Sequence, residues 1–227
     1  MDNKKDSFIL KYIASFILTI IIFVIIFLIA YTSSYLNYQR IYHENSLIKD
    51  NLIFLDRLFI EFEDEKNCSN KLLLESSEKL DFVGDLINTL EFRLGKNDKR
   101  VLEQKKLYSA LELNHYKIIK KLNSVCNENF VTIFFFYSND KPYDELSKRT
   151  SAILSVLKNE NPYNLMIYSF DYNLDNYLVS MIKTNYNITN APSVLIDEAY
   201  YMEVSDTPNL SDIFKYANEK ILKSDSK

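Results

Sequence analysis

The sequence predicts an α/β chain in three parts: an N-terminal transmembrane helix, a helical coiled-coil-like stalk and hairpin, and a C-terminal βαβαββα domain. Three observations predict it. Residues 12–31 (YIASFILTIIIFVIIFLIAY) are almost wholly apolar, and no charged side chain occurs between Tyr12 and Tyr38. Between residues 41 and 125 apolar residues recur at spacings of three, four and seven. From residue 131 onward, short runs rich in Val, Ile, Phe and Tyr alternate with amphipathic stretches. The boundaries that follow are 1–11 for a cytoplasmic N-terminus, 12–36 for the membrane helix, 37–126 for the helical segment, 127–223 for the α/β domain and 224–227 for a tail.

The first element rests on length. Twenty residues at the rise of an α-helix span about 30 Å, the thickness of a hydrocarbon core. A buried helix of a soluble protein rarely runs so far without a polar face. A cleavable signal has a shorter apolar region and a small-x-small cleavage site, which is missing here. Lys4, Lys5 and Lys11 precede the span, and only Arg40 follows within fifteen residues. The positive-inside rule then puts the N-terminus in the cytoplasm and the remainder outside. Tyr12, Tyr31 and Tyr35 suit the two interfaces. The expected location is the cell membrane, single-pass, with the membrane as first partner.

The helical segment carries three apolar series. Ile41, Ile48, Leu52, Leu55, Phe59 and Phe62 form the first, and Leu73, Leu80, Val83, Ile87, Leu90 and Leu94 the second. Val101, Gln104, Tyr108, Leu111, His115, Ile118, Leu122 and Val125 form the third. Each set lies on one stripe of a helix, suited to packing against the others. Between the second and third, LGKNDKR (94–100) reads as a break: Gly95 can supply a left-handed cap, and Asn97 or Asp98 can cap the next helix.

Cys68 and Cys126 each lie 29 residues from position 97. In an antiparallel helical hairpin, equal offsets bring two residues to the same end. A disulfide is expected there, compatible with an exterior location and worth roughly 4 kcal/mol by chain entropy. Two unrelated buried thiols are the alternative. Neither cysteine belongs to a C-x-x-C motif. The two histidines, His43 and His115, have no cysteine or carboxylate spacing that suits zinc, so no metal is expected.

Composition narrows function further. The net charge of −4 gives no basic footprint for nucleic acid. With 2 glycines and 4 prolines in 227 residues, there is no phosphate-cradling loop, and no G-x-S-x-G is present. No cofactor is expected. The abundance of Asn, Ile, Lys and Tyr is that of an AT-rich genome.

In the last part, VTIFFFYS reads as a central strand buried on both faces. Residues 144–158 form a helix, 164–172 a second strand and 175–185 another helix. A third strand over 191–197 turns through Asp197 and Glu198 into a fourth over 199–205, and 209–223 close with a helix. The βαβ crossover implies parallel pairing and the hairpin antiparallel pairing.

The strand FFFYS before a turn, this order of elements and the run N-A-P-S-V-L-I together resemble the thioredoxin-like family, over residues 128–223. The whole chain is similar to membrane-anchored thioredoxin-like proteins of archaea. The resemblance implies a cis Ala191–Pro192 bond facing the site where the family carries its cysteine pair. At that site this chain has Lys141, Pro142, Tyr143 and Asp144, with Lys141 and Asp144 at the cysteine positions. Neither can attack or resolve a disulfide, so the chain is expected to be redox-inactive there. Asp144 suits a helix N-terminus as cap or first-turn carboxylate, with Lys141 as its ion-pair partner. The resemblance further implies a groove for extended peptides, lined by Lys141, Pro142, Tyr143, Asp144, Ala191 and Pro192, with no catalytic residue. The leading expectation is a protein- or peptide-binding or scaffolding module for a membrane or extracytoplasmic partner. The second is oligomerisation or membrane-complex assembly, as a homodimer through the stalk, with Gln104 and His115 setting register. The third is thiol–disulfide exchange through Cys68 and Cys126.

Overall fold

The computed structural model describes residues 2–64, 70–126, 128–204, 215, 216 and 219, with the side chains of 2–9, 61–64 and 70–72 left aside. The chain divides into two compact units, residues 1–47 and 48–227. Its elements in order are α1 (Asp2–Asp64), α2 (Asn70–Leu94), α3 (Lys99–Val125), β1 (Val131–Tyr137), α4 (Tyr143–Glu160), β2 (Leu165–Asp171), α5 (Tyr177–Asn185), β3 (Ser193–Ile196) and β4 (Tyr200–Glu203).

In the first unit, α1 presents Phe16, Ile20, Phe23, Ile26 and Phe27 to its surroundings. The segment that begins at Leu10 is long and apolar enough to cross a membrane. Thr19 and Thr32 return their hydroxyls to the carbonyls of Ser15 and Leu28, each at 2.9 Å. Both threonines of this stretch therefore satisfy their hydroxyl donors within the helix.

The second unit begins with the rest of α1. Ile48, Leu52, Leu55, Leu58 and Phe59 are buried, as are Leu73, Leu80, Val83, Ile87 and Leu90 of α2. The expected stripes therefore become a helical core. The Lys79 ammonium sits 4.8 Å from the Phe54 ring centroid, and Phe59 packs against the His115 ring of α3 at 5.9 Å. The break between α2 and α3 follows its sequence. Gly95 has φ of 92°, and Asp98 accepts from the Arg100 N–H at 2.9 Å as the N-cap. A side chain at Gly95 meets no neighbour, so Gly95→Ala isolates the backbone cost. It is expected to lower stability by about 1–2 kcal/mol, read as a shift in the urea midpoint at constant slope.

The sheet has the order β2-β1-β3-β4. β1 pairs with β2 in parallel, from Val131↔Leu165 to Tyr137↔Asp171, and with β3 antiparallel, from Phe136↔Ser193 to Ile133↔Ile196. The β3–β4 hairpin turns through Asp197 and Glu198, with φ of 49° and 58°. The Asp197 N–H donates to the Thr132 carbonyl at 2.9 Å, which extends the β1–β3 ladder by one step, and the Asp197 carboxylate accepts from the Thr132 N–H at 2.9 Å. On one face Val131, Ile133 and Phe135 pack with Leu154 and Leu157 of α4. On the other, Phe134 meets Tyr116 of α3 edge-on at 4.7 Å, with Phe170 at 5.5 Å. β1 is thus buried on both faces, which accounts for its unbroken apolar run.

α3 runs antiparallel to β2 along the open side of that strand. Near its start Lys105 reaches Asp171, further on Glu112 accepts from the Ser169 N–H at 2.7 Å, and near its end Asn123 is bonded to the main chain of Phe130. A helix with an acceptor aimed at a strand N–H closes an edge that would otherwise pair with another chain. Of the closing helix expected over 209–223, Lys215, Tyr216 and Glu219 are helical, and the rest, with Leu210, Ile213, Phe214, Ala217 and Ile221, lies outside the described residues.

Candidate functional site

The β1–β3 register sets the site. Phe136 is opposite Ser193, so the segment ending in Pro192 lies beside the exit of β1, where the turn 138–143 begins. The topology therefore brings Lys141–Asp144 and Ala191–Pro192 to one end of the sheet. The Tyr172 hydroxyl donates to the Thr189 carbonyl at 2.7 Å, and Val204 N–H to the Pro192 carbonyl at 2.9 Å. Both proline bonds, Lys141–Pro142 and Ala191–Pro192, are cis.

The turn is held by small polar groups. The Ser138 N–H donates to Ser147 Oγ of α4 at 3.0 Å, and the Ser138 hydroxyl donates to Asn173 Oδ1 at 2.8 Å. Asn173 in turn donates to Asp140 at 2.9 Å. The Asp140 carbonyl accepts from the N–H groups of Tyr143 and Asp144. Pro142, with no side-chain hydrogen bond, occupies the N-cap, and Asp144 is a first-turn carboxylate of α4, the second of its two expected placements. Its expected ion-pair partner is corrected. Its cation is Lys148 at 3.6 Å, one helical turn on, rather than Lys141, because an i,i+4 neighbour is reachable without bending the turn. Tyr143 is half exposed and Ala191 is buried. The Ala191 main chain makes no hydrogen bond among the described residues.

Among the described residues the one cysteine, Cys126, lies at the other end of the sheet. Cys126 caps α3 beside Asn123, whose side chain binds the residue that enters β1. The turn at Ser138 begins where β1 leaves, about 23 Å away for a seven-residue strand. No free cysteine occurs among the described residues. Cys68, the expected partner of Cys126, lies outside them.

Sequence reasoning missed a second polar cluster at the same sheet end. Lys105 of α3 is buried and lies 2.5 Å from Glu91 of α2 and 2.9 Å from Asp171 of β2. Asn139 donates to both carboxylates, at 3.2 and 3.4 Å. The Lys105 ammonium also sits 5.4 Å from the Tyr137 ring. Burial works to lower the Lys105 pKa, but Tyr137, Asp171 and Glu91 together hold it above the usual lysine value. The signal was present as spacing. Lys105, Ser109, Glu112, Tyr116 and Ile119 recur at 4, 3, 4 and 3, a second stripe beside the apolar one, and all five are buried.

Gln104 and His115 were expected on the packing seam of the third helix. His115 is buried there, inside the unit. Its Nδ1 is 2.8 Å from the Tyr168 hydroxyl and its Nε2 is 3.1 Å from Ser77 Oγ. Ser77 donates its own proton to the Leu73 carbonyl. The ring therefore carries its hydrogen on Nε2, donates it to Ser77 and accepts from Tyr168 at Nδ1, a neutral tautomer with both nitrogens satisfied. Burial, with the Lys158 charge added, pushes its pKa down to about 3. Gln104 Oε1 is buried without a partner among the described residues.

Among the described residues no three His, Cys, Asp or Glu side chains are placed to share a metal ion. Compared with known proteins, the chain matches no protein-family model and no curated protein.

Proposed function

We propose that the chain is a single-pass, membrane-anchored, thioredoxin-like binding module, redox-inactive at the sheet end that carries Lys141–Asp144. It holds an extended segment of a protein partner against Ala191 and Tyr143. The observation that carries this reading is the juxtaposition at one sheet end of an exposed tyrosine and a main chain with free hydrogen-bonding groups. An added strand takes its affinity from main-chain bonds, and a half-exposed tyrosine offers a flat apolar contact with a polar tip. The parallel β1–β2 pair followed by the β3–β4 hairpin supports the thioredoxin-like assignment. The exposed apolar helix supports the anchor, and Lys4, Lys5 and Lys11 support an N-terminus in the cytoplasm with residues 48–227 outside. In that location a Cys68–Cys126 disulfide fastens the helical hairpin at the end away from the site.

The test uses a permanently unfolded polypeptide, reduced and carboxymethylated α-lactalbumin, carrying a fluorophore. It is titrated with the full-length protein in detergent micelles. Tyr143→Ala is expected to weaken binding about tenfold, as loss of a central aromatic contact does. Tyr163→Ala removes a more exposed tyrosine before β2, at the other end of the sheet, and is expected to leave binding unchanged. Equal effects of the two substitutions, or no binding, would overturn the reading. Digestion of residues 48–227 by protease added outside intact cells tests the sidedness, and protection from it would reverse the orientation.

A further inference from the structure

A cavity of about 600 Å³ opens between α2, α3, α4 and the Phe135–Tyr137 face of the sheet. That is within the range of small-molecule sites. Phe135, Ile167 and Leu154 give it an apolar floor, and the rings of Tyr108 and Tyr137 border it. Gly84 lets α2 approach this wall: a Cβ there would lie 2.9 Å from the Tyr108 hydroxyl.

The charges around the cavity are mostly accounted for. Lys105 is held by Glu91 and Asp171, and Lys148 faces Asp144. Lys158, whose charge acts on Asp81, donates from Nζ to the carbonyls of Leu165 at 2.5 Å and Pro162 at 3.3 Å. With Lys158 counted against Asp81 and Lys96 against Asp85, what remains on the wall is the second carboxylate beside Lys105 and Glu112 of α3. The excess is acidic.

Glu112 is the informative residue. It is 1% exposed. One carboxyl oxygen accepts from the Ser169 N–H, and the other, Oε2, has no partner among the described residues. A buried acceptor left unmade costs about 1–3 kcal/mol, more if charged. Burial pushes the Glu112 pKa well above the ordinary carboxyl value, against the pull of the Ser169 N–H and with the Asp81 charge adding to it.

We propose that this cavity binds a small organic cation, a primary amine on an aromatic or apolar body, with Glu112 Oε2 as acceptor of the ammonium. An anion meets the carboxylate excess of this wall. A bare metal ion lacks three converging ligands among the described residues. An organic ammonium fits the mixture of spread carboxylates and tyrosine rings, since ring faces attract cations. Its arrival favours ionised Glu112. The carboxyl O–H bond breaks, the proton leaves to solvent, and an ammonium N–H donates to the carboxylate.

The probe is tyramine, titrated calorimetrically into the full-length protein in detergent micelles at neutral pH. Its neutral counterpart is 4-ethylphenol and its anionic one 3-(4-hydroxyphenyl)propionate. Tyramine is expected to bind about tenfold or more tightly than 4-ethylphenol, with the anion weakest. In two buffers of different ionisation enthalpy, neither a primary amine, the heats are expected to differ by the release of about one proton per amine bound. Glu112→Gln keeps an oxygen for the Ser169 N–H and is expected to abolish both the proton release and the preference for the amine. If that variant does not fold, Ser151→Trp supplies the same test, because Ser151 is exposed on the cavity wall. It is expected to block tyramine. Equal binding of the three compounds, heats independent of buffer, tyramine affinity untouched by the substitution, or no tyramine binding each overturns the proposal. The α-lactalbumin assay reports on Tyr143 separately, so either site can fail alone.

Discussion

Lys105→Met is expected to destabilise residues 48–227 by about 3–5 kcal/mol, the cost of stranding a buried charge. The ammonium is the cation that faces both Glu91 and Asp171, at 2.5 and 2.9 Å, and all three side chains are largely shielded from water. Methionine fills the same length of chain, so packing changes little and charge changes most. Asn139 still donates to both carboxylates, but an amide dipole does not replace a full charge. For a unit of this size the loss corresponds to a melting temperature lower by roughly 10 °C. Removing the stranded charge should restore stability. Lys105→Met combined with Asp171→Asn is therefore expected to unfold later than Lys105→Met alone, with a coupling of about 1–3 kcal/mol in the double-mutant cycle. Little screening reaches a buried pair, so the effect should persist at 1 M salt. A single-substitution loss under about 1 kcal/mol would show that the cluster behaves like a surface ion pair.

The same cluster shows where sequence reading stops. Lys105 is followed by Lys106 in a helix rich in charge, and beside a neighbour that is solvated it reads as another surface lysine. Its partners lie 14 residues before it in α2 and 66 residues after it in β2. Only the docking of α3 along the β2 edge brings them together, and no local pattern encodes that docking. Glu112 fails to be seen for the same reason: what it accepts is a strand N–H left over by sheet order, not a group on its own helix. Features set by nearest neighbours in the chain fare better. The β1 run, the Asp197–Glu198 turn and the Gly95–Asp98 break were each legible, because φ, capping and burial on two faces leave marks within a few residues. The junction at 138–144 was legible in position but not in bonding. The polar residues that hold it, Ser138, Ser147 and Asn173, look in sequence like ordinary turn and helix residues.

His115 is expected to make the protein markedly less stable in mild acid. In the folded state the neutral ring donates to Ser77 and accepts from Tyr168, 1% exposed. Its pKa is pushed down to about 3 by burial and by Lys158, whereas an unfolded histidine titrates near the ordinary value of about 6.5. A group with a depressed folded pKa contributes its full stability above the unfolded value and loses it as pH falls. From about pH 6.5 downward the unfolded chain takes up a proton that the folded one refuses, and stability falls by about 1.4 kcal/mol per unit. By pH 4 the loss is roughly 3 kcal/mol. Glu112 contributes with the opposite sign, since its raised pKa favours the folded state in acid, so the wild-type curve alone does not isolate the histidine. His115→Gln does. At pH 7.5 it is expected to be less stable than wild type, because the amide cannot reproduce both hydrogen bonds. Between pH 6.5 and 4 the gap should close as wild type loses a contribution the variant never had. Urea midpoints of both proteins at pH 7.5, 5.5 and 4, converted with their measured slopes, give the difference at each pH. A gap that stays constant over that interval would mean that His115 titrates alike in the folded and unfolded chains.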